Sequence, residues 1–253
     1  MKVFLTGASS GLGEALARHY AAAGATLGLF ARREGELARL AAALVPATVV
    51  TYVGDVRDAA TVAGAAADFI GRFGAPDVVI ANAGVSRGTL TDEAVDLPAF
   101  RAVFDTNVLG MVHTFSPFMA ALRSARAGTL VGVASVAGFR GLPGAGAYSA
   151  SKAAAITYLE SLRVELFGSG VAVVTICPGF IATPLTSGNP YRMPFLLAPD
   201  KAARLIARAI ARRRRFYVLP WQMAWLGRVL RCMPRPLYDR VVAGRKRKPR
   251  HIG

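Results

Sequence analysis

Short apolar runs alternate along the chain with longer segments, rich in Ala, Leu and Arg, whose apolar positions recur at helical spacing. The runs predict strands near 2–6, 26–31, 48–53, 77–81, 128–134, 171–176 and 216–218. The segments between them predict helices near 11–23, 34–44, 58–73, 96–125, 147–168 and 199–213. Strands joined through helices are the mark of βα units around a parallel sheet. The stretch from Val171 to Ile176 is apolar on both faces, as a strand covered by helices on both sides must be. The expected fold class is α/β, a doubly wound, parallel, seven-stranded sheet with helices on both faces. No linker-like boundary, repeat or low-complexity stretch interrupts the pattern, so residues 1–218 are expected to form one domain and 219–253 an extension.

With 253 residues, 53% hydrophobic and 18% charged, the chain can bury a proper core and is not disordered by composition. Its net charge of +16 changes the picture only through its placement. Residues 1–200 carry 15 basic and 14 acidic side chains, whereas residues 201–253 carry 16 basic ones against the single acid Asp239. A neutral body followed by a cationic tail argues against nucleic-acid binding by the body. Cys177 and Cys232 lie far apart and the three histidines are scattered, so neither a disulfide framework nor a metal site is expected, and a reducing, cytoplasmic setting fits. No secretory signal is read at the start, where Val3–Leu5 gives way at once to Thr6 and Gly7. Spanning a bilayer takes roughly 18 uncharged apolar residues in a row, and no run reaches that length.

The first strand runs into Thr6-Gly7-Ala8-Ser9-Ser10-Gly11-Leu12-Gly13, and a helix follows. Glycines allow a tight turn and close backbone approach, and the helix N-terminus offers free N–H groups to a pyrophosphate; together these suit a Rossmann-type dinucleotide site. The spacing is Gly-x-x-x-Gly-x-Gly, a departure from the general fingerprint. At the end of the second strand, where a carboxylate would hold a ribose 2′-hydroxyl, the chain has Arg32 and Arg33. Two guanidiniums there favour a 2′-phosphate, hence NADP(H) over NAD(H), although both could simply be solvated residues opening the next helix and Glu34 leaves NAD(H) open. Asp55 and Val56 end the third strand, where the carboxylate would meet the adenine amino group or only solvent.

Near the start of the helix at 147, Tyr148 and Lys152 are four residues apart and share a face. A phenol with a pKa of about 10 exchanges protons poorly near neutrality, and a fixed ammonium would lower it. Ser135 ends the strand before, where its hydroxyl could bond a substrate oxygen. A Tyr-x-x-x-Lys pair alone is equally a packing or surface pair.

The set as a whole resembles the short-chain dehydrogenase/reductase family, in its NADP-using branch. The resemblance rests on Thr6 to Gly13, Asp55, Asn82-Ala83-Gly84, Asn107, Ser135, Tyr148-x-x-x-Lys152 and Pro178-Gly179 followed by Ile181-Ala182-Thr183, in family order over residues 1 to about 218. It implies hydride exchange between a nicotinamide and a carbinol carbon. Tyr148 would protonate the carbonyl oxygen, Ser135 would orient it, Lys152 would lower the Tyr148 pKa and hold the nicotinamide ribose, and Asn107 would hold a relay water. Pro178 and Gly179 would shape the nicotinamide pocket and Thr183 would bond its carboxamide. The resemblance further implies a lid over residues 185–199, in which Met193, Phe195, Leu196 and Leu197 would line an apolar pocket for a hydrophobic ketone or alcohol, or merely pack the lid. Family habit implies a homodimer or homotetramer.

Beyond the last strand, Trp221, Trp225, Val229 and Leu230 sit at helical spacing beside Arg228 and Arg231, and a basic run follows at 244–250. Tryptophans with a basic flank mark a basic amphipathic helix suited to an anionic membrane surface, at about 1 kcal/mol per engaged cation. Packing on a second subunit would use the same residues. Expected localisation is cytoplasmic with peripheral membrane contact.

Overall fold

In a computed structural model, residues 1–244 are described; the basic run at 245–250 lies outside them. Seven strands, β1 (Lys2–Thr6), β2 (Thr26–Ala31), β3 (Val49–Val53), β4 (Val78–Ala81), β5 (Thr129–Val133), β6 (Ala172–Pro178) and β7 (Phe216–Leu219), form one sheet in the order β3-β2-β1-β4-β5-β6-β7. Every pairing is parallel, with Leu5 opposite Leu29 and Val3 opposite Val78. The order reverses between β1 and β4, which opens a crevice above their C-terminal ends.

Alternation along each strand feeds two cores. Val3, Leu5 and Leu29 face helices α1 (Gly11–Ala22), α2 (Glu34–Ala43) and α9 (Pro199–Ala211), burying Leu16, Leu37, Leu40 and Ile206. Phe4 and Phe30 face the other side, where α3 (Ala59–Phe73) and α7 (Gly146–Glu165) supply Phe69 and Leu159. The Phe4 ring lies 4.8 Å from Phe118 and 5.6 Å from Phe69.

One expected element is broken in the structure. The helix predicted over 96–125 is a run of pieces: α4 (Leu97–Phe104), a π-helical stretch at Asp105–Leu109, α5 (Gly110–Phe115), a tight turn at Ser116–Phe118 and α6 (Met119–Ala125). Pro117 has no N–H to give to the ladder, which accounts for the second break. The widened turn at 105–109 carries Asn107 inward, and it is 1% exposed. Two helices were not anticipated: α8 (Pro184–Ser187), capped reciprocally by Thr183 and Thr186, and α11 (Arg235–Val242), entered through Pro234. Between β7 and α11 runs α10 (Trp221–Cys232).

Candidate active site

The glycine-rich turn owes its shape to contacts that leave no room for side chains. Gly7 has φ +66°, and a Cβ on it would lie 2.7 Å from the Ala83 Cα; one on Gly13 would collide with the Gly7 carbonyl oxygen. Asn82 ties the turn to β4, its Nδ2 donating to the carbonyls of Thr6 and Gly7, both at 3.1 Å. Asn82 is thus a brace for the cofactor end. Ser10 caps α1 through backbone conformation alone and makes no side-chain bond to the first turn. Its open N–H groups and positive dipole end are the cradle that a pyrophosphate needs, so the residues present fit a dinucleotide.

At the adenosine end, Arg33 is committed: its guanidinium donates to the Ser9 hydroxyl at 3.0 and 3.3 Å and to the Ser9 carbonyl at 3.2 Å. Arg32 is 63% exposed and stands 3.8 Å from Asp55. Burial acts to raise the Asp55 carboxyl, but hydrogen bonds from the Arg57 side chain and backbone and the charges of Arg57 and Arg32 outweigh it and hold the group below its ordinary range. Arg57, which sequence reasoning passed over, thereby claims the carboxylate expected to face the adenine, with a 2.7 Å ion pair.

The other end, where Ser135, Tyr148 and Lys152 are expected to act, lies across β5 and α7. Lys152, 4% exposed, donates its Nζ to the carbonyl of Val133 at the end of β5 at 2.8 Å. Burial pushes its pKa down to about 8, the Cys177 thiol acting weakly the other way. Burial also raises the Tyr148 phenol, against a hydrogen bond from Ser135 that lowers it, with Tyr191 and Cys177 adding to the rise. Lys152 Nζ, bonded to the Val133 carbonyl, stands 5.8 Å from the Tyr148 ring centroid. Ser135 accepts from the Ala137 N–H at 3.1 Å, which holds its hydroxyl toward the phenol. The side chain of Asn107 is occupied: its Oδ1 accepts from the Val85 N–H at 2.8 Å, and its Nδ2 donates to the Val85 carbonyl and the Ser151 hydroxyl, both at 3.0 Å. A Cβ on Gly84 would lie 3.2 Å from that Oδ1 and 3.5 Å from Lys152 Nζ, so the absence of a side chain there leaves the two groups open to one another.

A single cavity of about 1240 Å³ brings these groups together. Every residue expected to bind cofactor lines it, from Gly7 and Arg32 at one end through Val56, Asn82, Ala83 and Gly84 to Pro178, Gly179, Ile181 and Thr183, together with Ser135, Tyr148 and Lys152. Asn107 stands one shell behind the wall. Met193 and Phe195 do not line the cavity, which corrects the expected substrate pocket. Phe195 sits in a turn with φ +57° and is 50% exposed, while the neighbouring Leu197 is drawn into the core by its bridge to Ile181. Within 185–199, the expected lid, the cavity is lined by Leu185, Thr186, Asn189, Pro190, Tyr191, Arg192 and Pro194.

The far wall comes from an unexpected quarter, since Met223, Leu226, Gly227 and Leu230 of α10 and Val242 of α11 also line the cavity. A Cβ on Gly227 would lie 2.5 Å from the Phe139 ring, and one on Gly179 2.7 Å from Met223, so the helix lies directly on the loops that carry the site. A latch closes this wall. Tyr238 of α11 donates its hydroxyl to the Gly141 carbonyl at 2.6 Å; Arg140 stacks 4.1 Å from the centre of the same ring and donates to the Met233 carbonyl at 3.1 Å. The spacing of 223, 226, 227 and 230 at helical period was the signal available in the sequence. Among the described residues no three His, Cys, Asp or Glu side chains gather as metal ligands, and no helix is long and apolar enough to cross a membrane.

The fold and this geometry define a dinucleotide-dependent oxidoreductase, and comparison with known proteins assigns the family. The short chain dehydrogenase family model matches residues 1–191, so the chain belongs to that family of NAD(P)-binding oxidoreductases acting on CH–OH groups. It is 40% identical over 237 residues to an uncharacterized oxidoreductase of Myxococcus xanthus (strain DK1622), covering 93% of each chain. It is 37% identical over 190 residues to 11-beta-hydroxysteroid dehydrogenase 1A of Arabidopsis thaliana, covering 74% of this chain and 54% of the plant protein. Among solved structures, a short chain dehydrogenase/reductase from Burkholderia phymatum in complex with NAD superposes with a TM-score of 0.83 at 27% identity, covering 99% of this chain and 98% of that one.

Proposed function

We propose that the protein is an NADP(H)-dependent oxidoreductase that interconverts an apolar ketone and the secondary alcohol, with Ser135, Tyr148 and Lys152 as catalytic residues and Asn107 as a positioning residue. The observation that carries the reading is the convergence of Ser135, Tyr148 and Lys152 with the glycine-rich turn on one cavity whose far wall is Met223, Leu226, Leu230 and Val242. A bound dihydronicotinamide supplies the hydride. The Ser135 hydroxyl orients the carbonyl oxygen, and Tyr148 gives it a proton from its phenolic oxygen. Lys152, held by Val133, keeps a positive charge behind the phenol and stabilises the phenolate left after transfer. Asn107 fixes the 85 loop and α7 relative to one another through Val85 and Ser151. Preference for NADP(H) rests on Arg32, exposed and only loosely paired at the place of the ribose 2′ position. The steroid dehydrogenase name of one relative agrees with an apolar substrate.

Because the buried Lys152 titrates near 8, kcat/KM for carbonyl reduction should fall as pH rises through about 8, well below the range of an ordinary lysine. Folding stability should rise over the same interval, since an unfolded lysine keeps its proton to about 10.4 and so binds more protons than the native one. A reduction rate that holds constant through that interval would remove Lys152 from the proposed role.

Outside the cavity, α10 presents a second apolar stripe: Trp221 is 68%, Trp225 61% and Val229 56% exposed, and the Arg228 guanidinium lies 5.8 Å from the Trp225 ring. This face, with Arg231 and Arg235 beside it, suits peripheral contact with an anionic bilayer; a second subunit in a homodimer or homotetramer is the rival occupant. One experiment addresses both function and docking: NADPH oxidation with ketones of rising chain length, with and without anionic liposomes. Catalytic efficiency should climb with chain length, and liposomes should sediment the protein but not its Trp221→Ser/Trp225→Ser variant. Efficiency that is indifferent to chain length would count against the apolar substrate, and equal sedimentation against the membrane face.

A further inference from the structure

We infer that the substrate is an anionic amphiphile, a ketone with an alkyl chain on one side and a carboxylate or phosphate a few bonds away on the other, the anion being held by Arg192 and Arg87. The inference rests on the reductase reading and deepens it. The first observation is the charge of the cavity wall. Asp55 is the single carboxylate that lines it among the described residues, and it is neutralised at the adenosine end by Arg57 and Arg32. The substrate half instead carries Arg87, Arg140 and Arg192. Arg140 is consumed by the latch, stacked on Tyr238 and bonded to the Met233 carbonyl. Arg87 and Arg192 are exposed and make no hydrogen bond or ion pair among the described residues.

The second observation is where the chain holds these two arginines. Arg87 belongs to the segment bound to the start of α7: Thr89 pairs with Ala145, and its hydroxyl accepts from the Ala147 N–H at 3.2 Å, one residue before Tyr148. Arg192 follows Tyr191, whose ring packs on Phe180 at 6.3 Å and whose hydroxyl is close enough to influence the Tyr148 phenol. Two arginines with no partner among the described residues thus line the cavity on segments anchored beside the proposed proton donor, and α10 and α11 supply an apolar part of its wall. An unpaired guanidinium at the wall of a cavity is a planar anion receptor, and a charge-assisted bond to carboxylate or phosphate is stronger than a neutral one. A neutral ketone would leave both unused. The anchoring of both segments next to Tyr148 or to groups that act on it sets the head group near the carbonyl rather than at the far end of the chain.

The test compares a long-chain γ-keto carboxylate, a keto phosphate monoester of matched chain length and the methyl ester of the carboxylate, with NADPH as reductant. At least one anion should show a KM at least about tenfold below that of the ester, the scale of one hydrogen bond to a charged group; which anion does so tells carboxylate from phosphate. In the Arg87→Gln/Arg192→Gln variant the anion-to-ester ratio should collapse toward unity. A KM for the ester equal to or below that of both anions, or a preference that survives the double substitution, would overturn the inference. Calorimetric titration of a long-chain fatty carboxylate and its methyl ester onto the NADPH-loaded protein reads the same preference without turnover. If no ketone is reduced yet the carboxylate binds through the two arginines, it is the reductase reading that fails; if ketones are reduced and the carboxylate binds no better than its ester, it is this one.

Discussion

Replacing Tyr148 by Phe is expected to lower kcat for NADPH-dependent ketone reduction by about two to four orders of magnitude while leaving the dissociation constant for NADPH nearly unchanged. The asymmetry follows from the position of the phenol. Its oxygen meets Ser135 in the substrate half of the cavity, whereas the contacts suited to a dinucleotide lie along Gly7 to Gly13, Arg32 and Thr183. Phe keeps the ring against its neighbours and removes only the exchangeable proton. Stopped-flow NADPH fluorescence would measure binding and steady-state assay would measure turnover on the same preparation. Substantial residual kcat would mean that another group, Lys152 or a water, delivers the proton, and the assignment of Tyr148 would fall.

The second large effect is expected at the adenosine end, where the two arginines should behave differently. Arg32→Ala should raise KM for NADPH by about tenfold or more and leave KM for NADH close to its original value, since a hydrogen bond to a charged phosphate oxygen is lost only with the phosphorylated cofactor. Arg33→Ala should weaken both cofactors, because Arg33 grips Ser9 with three hydrogen bonds and so braces the turn that either cofactor must use. The double variant should show the sum of the two. An NADPH-to-NADH ratio unmoved by Arg32→Ala would point to NAD as the working cofactor, the one bound in the Burkholderia phymatum structure.

The sheet and its order of helices were legible because each strand is a short apolar run with its own flanking helix, and period-two burial leaves that mark in any window. The glycine-rich turn was legible for a related reason: Gly7 and Gly13 occupy places where backbone meets backbone, a requirement only one residue type meets. What escaped was of another kind. The break at 105–109 keeps an apolar periodicity close to that of the surrounding helix, so nothing in the pattern announces the widened turn that buries Asn107. Lys152 bonding to Val133, nineteen residues away, is a tertiary fact with no local trace. Met193 and Phe195 were assigned to the pocket because they are apolar and lie in the lid, but an irregular loop has no period from which to read direction. On α10 the tryptophan stripe drew attention to one face, and the quieter row of Met223, Leu226, Gly227 and Leu230 on the other proved to be the wall of the cavity.

The latch between Arg140, Gly141 and Tyr238 has a consequence for how such an enzyme could diversify. The groups proposed to handle cofactor and proton are scattered over residues 7–183 and interlocked through the sheet. Much of the wall proposed to meet the far end of a substrate is instead one contiguous segment, Trp221–Val242, held through the Tyr238–Gly141 bond, the Arg140 contacts and the packing of α10 on Phe139 and Gly179. On the proposed reading, substrate range would be rewritten by exchanging that segment, provided the tyrosine, its arginine partner and the contacts of α10 with Phe139 and Gly179 are kept.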